Sequence, residues 1–357
     1  MKAKIVRLTA IFLILIFCLV GCKSNEVVVY ELTEENAWEI FPVENAPVKT
    51  VRAGDTWYSL LGSYGSGEFR LSVSDTYYSF DTVYETAGVS IWFFEANEKC
   101  AAWCEMTADA RVFMIYDTAK AKTEEIFRIG LDDGYQNANV GVYEDGVYFT
   151  HIDYDKESAC IMRYSVNSGM MEEFYRLEYK GEYSCTGFSV DGGTLLLCSG
   201  RDGMSALTEI NLKSGTDTVR KLDKSVGFVY GCAYDTVTKD SAIYYRDTEG
   251  KDHIGVVYRE NGKIKNLFTF GENVYAYYDT LESYGGHVYW VNQANVTGIV
   301  SDHYRFIDYN YVDGTVEEYI RTFSFTVVND GIILLSFNKA EYDAIYLSEI
   351  YLGGEKE

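Results

Sequence analysis

The groups able to do chemistry in this chain are mostly carboxylates: 54 Asp and Glu stand against 31 Lys and Arg, with only 4 His. General acid–base chemistry would therefore rest on acids brought together in space. No Gly-x-Ser-x-Gly nucleophile turn, no Walker phosphate loop and no His-Glu-x-x-His zinc motif occurs. Asp153-Tyr154-Asp155-Lys156-Glu157 alternates acids as a calcium loop does. It lacks the Gly at the sixth position, and its twelfth position is Tyr164 rather than Glu, so a solvated loop is the simpler reading. Ser189-Val190-Asp191-Gly192-Gly193 reads as a hairpin turn, since Asp-Gly and Gly-Gly serve positive-φ positions. His151, His253, His287 and His303 have no Cys at ligand spacing. No metal, no cofactor and no catalytic residue is assigned from the sequence.

Eight cysteines occur: Cys18, Cys22, Cys100, Cys104, Cys160, Cys185, Cys198 and Cys232. Cys100 and Cys104 would sit ~13 Å apart on one strand, beyond the ~7 Å a disulfide allows. The six beyond Cys22 read as small buried hydrophobes in strands, with their redox state left open.

These side chains must be positioned by something, and the chain repeats itself. Short apolar runs start at residues 99, 146, 193, 241, 286 and 331, as in Gly146-Val147-Tyr148-Phe149 and Gly286-His287-Val288-Tyr289-Trp290. A second frame runs in phase. Tyr116 is followed by Glu124, Glu125 and Arg128, Tyr164 by Glu172, Glu173 and Arg176, and Tyr309 by Glu317, Glu318 and Arg321, at identical offsets. One unit reads as four strands, Asn139–Tyr143, Gly146–Ile152, Cys160–Val166 and Met170–Leu177, with Gly, Asn, Asp and Ser between them. A period near 45 residues with four strands per unit predicts a β-propeller.

The predicted fold is all-β, a single propeller of about seven four-stranded blades over residues 27–357, with six blades as the alternative. Thr56–Leu61, Glu68–Ser74 and Tyr77–Tyr84 would form a degenerate first blade. The last unit, Phe325–Val328, Ile332–Phe337 and Ala344–Leu352, lacks an outer strand, and Val27–Leu32 is expected to fill the gap. Pro42 and Pro47 are the only prolines.

Composition agrees with a folded β domain. The chain of 357 residues is 47% hydrophobic and 16% aromatic, with 32 Tyr. That excludes a disordered chain, a collagen and a coiled coil. A net charge of −23 argues against sequence-independent nucleic-acid binding. At the start, Lys2, Lys4 and Arg7 precede an apolar run, Leu8–Val20, too short for the ~20 residues of a spanning helix.

That run ends in Leu19-Val20-Gly21-Cys22, which resembles the lipobox of bacterial lipoproteins. The resemblance implies that residues 1–21 are a signal peptide and that Cys22 is lipidated, palmitate being one expected chain. Residues 22–26 would be a short linker, and the protein extracytoplasmic and anchored in the bacterial cell membrane. The repeats look like those of lipoproteins with propellers of the general TolB-like kind. Ser189–Gly193 also begins like a sialidase Asp-box, with the following Thr and aromatic out of place.

In a propeller, the turns between second and third strands and between blades share one face. Here those turns carry Asp153, Asp155, Glu157, Asp202, Asp247, Glu249, Asp252 and Asp302, with Tyr135, Tyr183 and Tyr275 between blades. Such a face is expected to dock a cationic or polyhydroxylated partner, an envelope protein or a glycan, and enzyme activity is not the favoured reading. The alternative is a carboxylate-dependent hydrolase or lyase at the channel mouth, which requires close acids there, at least one with a shifted pKa.

Overall fold

The computed structural model describes residues 27–31, 38–42, 47–63, 67–75, 81–134, 137–201, 203–271, 281–294, 300–320, 322–328, 332–338 and 344–351. Residues 1–26, and with them the expected leader, Cys22 and the expected linker, lie outside the described residues.

Val, Ile, Tyr and Phe runs separated by Gly-Asp-Asn turns pair into antiparallel sheets in sequence order. Among the described residues there are six four-stranded sheets and one five-stranded sheet, seven in all. The first is Pro47–Ala53, Thr56–Ser63, Glu68–Ser74 and Asp81–Thr86, and the second Ser90–Ala96, Cys100–Met106, Ala110–Asp117 and Lys122–Gly130. The third is Val140–Tyr143, Gly146–Asp153, Ser158–Ser165 and Met170–Leu177, and the fourth Gly187–Asp191, Thr194–Ser199, Ala206–Asn211 and Asp217–Lys221. The fifth is Val226–Tyr234, Ser241–Asp247, Asp252–Val257 and Ile264–Thr269, and the sixth is built on Glu282–Tyr284, His287–Ala294, Val300–Asn310 and Val316–Ile320. Thr322–Val328, Ile332–Asn338 and Ala344–Tyr351 form the seventh with Trp38–Pro42. Each sheet packs on the next, and the innermost strand of the seventh returns to that of the first, so the sheets close into a ring. This is the β-propeller that the repeats predict.

Two expectations are corrected. The first blade is complete rather than degenerate, because Pro47–Ala53 supplies its innermost strand. The gap in the last sheet is filled by an N-terminal strand, but the strand is Trp38–Pro42, antiparallel to Ala344–Tyr351. Val27–Glu31 instead pairs in parallel with Val316–Ile320 and becomes the fifth strand of the sixth sheet. The physical reason lies at the prolines. A proline is tolerated at the end of an edge strand, where its missing N–H faces no partner, so Pro42 does not exclude Trp38–Pro42 from the closing position.

The core lies between blades. Second strands are buried on both faces, as in Cys100–Met106 and Ser241–Tyr245. Phe113 of the second blade stacks on Phe149 of the third at 4.3 Å, and Phe268 of the fifth meets Trp290 of the sixth at 5.8 Å. Polar staples also join neighbouring blades. Asn97 Nδ2 donates to Glu144 O at 2.9 Å, and Tyr175 Oη donates to Asp217 at 2.8 Å. The fullest staple is Asp235, which is fully buried. Its carboxylate accepts from the N–H groups of Val237 (2.8 Å) and Thr238 (3.0 Å) in its own turn. It also accepts from Gly285 (3.1 Å) and Gly286 (2.8 Å) in the next blade. The six cysteines Cys100, Cys104, Cys160, Cys185, Cys198 and Cys232 are free thiols, all buried except the half-buried Cys160.

Candidate functional site

Two concave regions open on opposite faces of the ring. The first is the channel mouth on the side of the turns between first and second strands. It encloses about 480 Å³ and is lined by the turns at Gly54, Asn97–Lys99, Glu144 and Asp191–Gly192. Charged residues line it from innermost strands: Lys49 and Arg52 (first blade), Glu95 (second), Asp191 (fourth) and Glu282 (sixth). Lys49 Nζ pairs with Glu95 Oε1 at 2.7 Å. The N–H of Tyr234 donates to Asp191 Oδ2 at 3.4 Å. Among the described residues nothing donates a hydrogen bond to Glu282.

Burial makes charge costly here. It pushes Asp191 up to about 7; nearby Glu95 adds to the rise, while the Tyr234 N–H and Lys49 oppose it. It pushes Glu282 up to about 8; Lys49 opposes this, and Asp191 and Glu95 reinforce it. Both carboxyls keep a partial opening to the channel space although protein surrounds them. With both carboxyls raised, protons remain in this cavity near neutrality. A retained proton beside a carboxylate is what general acid–base chemistry uses. No three His, Cys, Asp or Glu side chains converge as metal ligands among the described residues.

The second region lies on the other face, between the fourth and fifth blades, and holds about 550 Å³. It is lined by Tyr183, Arg201, Gly227, Phe228, Tyr230, Arg246, Asp247, Thr248 and Gly250. The innermost strand Val226–Tyr234 breaks register twice against Ser241–Asp247, leaving Gly227 and Tyr230 outside the ladder. Bulges of this kind re-aim side chains. A Cβ on Gly227 would lie 3.1 Å from Asp247 O, so a side chain there would push the turn at Asp247 outward by a few tenths of an ångström. The rings brace one another edge to face: Tyr183 on Phe228 at 6.2 Å and Phe228 on Tyr230 at 4.9 Å. The guanidinium of Arg201 lies 4.8 Å from the Tyr183 ring centre, and that of Arg246 lies 5.4 Å from Tyr230.

Arg246 is fixed by Asp252, to which Nε and Nη2 donate at 2.7 and 3.0 Å. Asp247 closes its own turn by accepting from the N–H of Glu249 (2.9 Å) and of Lys251 (2.8 Å), and it meets His253 Nε2 at 2.9 Å. Burial alone would raise the Asp247 pKa, but these donors outweigh it and hold the group below the usual carboxylate range.

The sequence-derived candidates divide accordingly. Tyr183, Asp247 and Asp252 belong to this pocket or brace it. Glu249 is exposed beside it, 3.6 Å from Lys251. Asp153 is a turn residue, accepting the Lys156 N–H at 3.0 Å and pairing with its Nζ at 2.6 Å, while Asp155 and Glu157 are exposed in the same turn. Asp302 lies on the strand Val300–Asn310. Tyr135, Asp202 and Tyr275 lie outside the described residues. The structure thus places two arginines and an aromatic wall where the sequence reading emphasised acids.

Sequence reasoning missed Lys49, Glu95 and Glu282, and it read Asp191 only as turn chemistry. Asp191 does sit at a hairpin, with Gly192 and Gly193 at φ 51° and 79°. The available signal was a lone charge inside an otherwise apolar first strand, as in Ser-Ile-Trp-Phe-Phe-Glu-Ala.

No protein-family model and no curated protein matches the chain. Solved structures do. The β-propeller domain of the Trilobed protease from Pyrococcus furiosus superposes with a TM-score of 0.56 at 9% identity, covering 87% of this chain and 97% of that one. Oligogalacturonate lyase from Vibrio parahaemolyticus gives 0.53 at 11% identity, covering 89% and 94%. TolB from Acinetobacter baumannii gives 0.49 at 13% identity, covering 74% of this chain and 66% of that one. At these identities the first two likenesses show the propeller fold and nothing finer.

Proposed function

We propose that the chain is a lipid-anchored, extracytoplasmic propeller of the bacterial cell envelope that acts as a binding module for an envelope protein or glycan. The observation that carries this reading is the pocket between the fourth and fifth blades. It is built by the turns expected to form the docking face, and it joins an aromatic wall to fixed donors and acceptors. Such a combination is how small-ligand sites are made. The anchor rests on the lipobox at Cys22.

The test is metabolic labelling with a palmitate analogue together with capture of detergent-solubilised envelope components. Wild type should incorporate label and fractionate with membranes, and Cys22→Ser should do neither. Wild type should also retain a component that Tyr230→Ala and Arg246→Ala lose. Unlabelled wild type, together with no component whose retention depends on the pocket, would end the proposal.

A second reading is favoured by one specific observation: Asp191 and Glu282 are buried carboxyls with raised pKa values in one cavity. The raised pKa values answer one part of the condition set for a carboxylate-dependent hydrolase or lyase at the channel mouth, which also asks for acids in close approach. Loss of turnover on a polysaccharide panel in Glu282→Gln would support it. Unchanged turnover, or none in wild type, removes it.

A further inference from the structure

The geometry points to an uncharged oligosaccharide as the ligand of the pocket between the fourth and fifth blades; this deepens, and rests on, the reading of that face as a binding surface.

Size admits it. The pocket holds about 550 Å³, inside the ~300–1,000 Å³ range of small-ligand clefts. Its wall is aromatic and braced: Tyr183, Phe228, Tyr230 and, behind them, Tyr244 form a continuous row of ring contacts, the last at 5.0 Å. Rings already fixed lose little freedom on binding, and their faces suit the C–H face of a pyranose. The polar groups are also fixed before any ligand arrives. Arg246 commits two nitrogens to Asp252, and Asp247 is clamped by two N–H groups and His253. A planar donor fork and a clamped carboxylate are the complements of hydroxyls, which donate and accept at once.

Charge separates this ligand from an acid. The two guanidinium groups, Arg201 and Arg246, are balanced by the carboxylates Asp247 and Asp252, so the pocket offers many hydrogen-bonding groups but little net charge. The whole chain carries −23, and that field opposes an anion's approach. A peptide fits less well. An extended peptide adds its backbone to an unpaired strand edge, and the ring contacts and clamped side chains that make this pocket are not such an edge.

The experiment is calorimetric titration of the folded chain with cellotriose and with chitotriose (the N-acetylglucosamine trimer). A galacturonate trimer and an acidic peptide serve as comparisons. Wild type should bind at least one neutral trisaccharide saturably and more tightly than either acidic probe. Tyr230→Ala should weaken that binding by roughly tenfold, about 1.4 kcal/mol. Arg246→Lys keeps the charge and loses the fork, and should weaken it comparably with an unchanged melting temperature. Should Tyr230→Ala fail to fold, Arg246→Lys carries the test. Absence of saturable binding to both neutral trisaccharides at millimolar concentration overturns the inference. So does tighter binding of the uronate trimer. Pocket-dependent capture of a defined envelope protein, with neither sugar bound, overturns it too while leaving the binding-module reading in place.

Discussion

Glu282 shows most directly how single residues are set against their surroundings. An ordinary Glu titrates at ~4.3, whereas burial raises this one to about 8 and Asp191 in the same cavity to about 7. A carboxyl raised in the folded state favours folding fully below its unfolded pKa, and that contribution is lost as pH rises through the folded value. The melting temperature of wild type should therefore fall between about pH 4 and about pH 8 through this pair. Glu282→Gln should flatten that slope and raise the alkaline end, as a set of thermal melts across pH would show. An unchanged slope would mean that the carboxyl is hydrated and ionised in the fold. Why these groups escaped the sequence is equally physical. Turn preference is local, so the Asp191 hairpin was legible. Which charges share a channel depends on the register of four separate blades, and nothing within one strand encodes it.

Strands and turns explain what the repeated pattern of acids and arginine means. In a regular strand, positions i and i+3 point to opposite faces. Yet Arg128 Nε and Nη2 donate to Glu125 at 3.0 and 2.6 Å, and Arg176 donates to Glu173 at 3.0 and 3.0 Å. The reason is an outer-strand bulge: pairing skips a residue after Glu125, and again between Glu173 and Tyr175. The inserted residue flips the phase and brings Glu and Arg to one side. The spacing was legible in the sequence, but the bulge was not, because it is a fault in pairing with a neighbour. Half-exposed pairs of this kind contribute little. The Asp235 staple is different, since it satisfies four N–H groups from two blades. Asp235→Ala strands those donors and should cost about 2–4 kcal/mol, read as a shifted urea midpoint. A loss below roughly 0.5 kcal/mol would show that water replaces the carboxylate.

At the scale of the whole ring, stability depends on closing the last sheet with a strand from the other end of the chain. Removing residues 27–42 takes away both N-terminal strands and bares the edge of Ala344–Tyr351. Exposed edges pair with other chains, so this variant should melt lower and self-associate in sedimentation experiments. Removing Val27–Glu31 alone should do far less, because Val27 and Val28 are already 41% and 39% exposed. Equal melting of both variants would refute this division of labour. The propeller was legible because each unit repeats turn and strand chemistry within about 45 residues. The identity of the closing strand was not, because Trp38–Pro42 and Val27–Glu31 are both short and apolar and only the completed ring chooses between them. The parallel pairing of Val27–Glu31 also sets a polarity. Val27 lies beside Val316, which follows a turn between third and fourth strands, so the strand begins on the side where Lys49, Glu95, Asp191 and Glu282 gather. Only Lys23–Glu26 separate it from Cys22, a reach of ~13 Å. Acylated there, the wheel would lie with its hub's charged opening toward the bilayer and its aromatic recess turned to the cell's surroundings, oriented like a dish on a short mast.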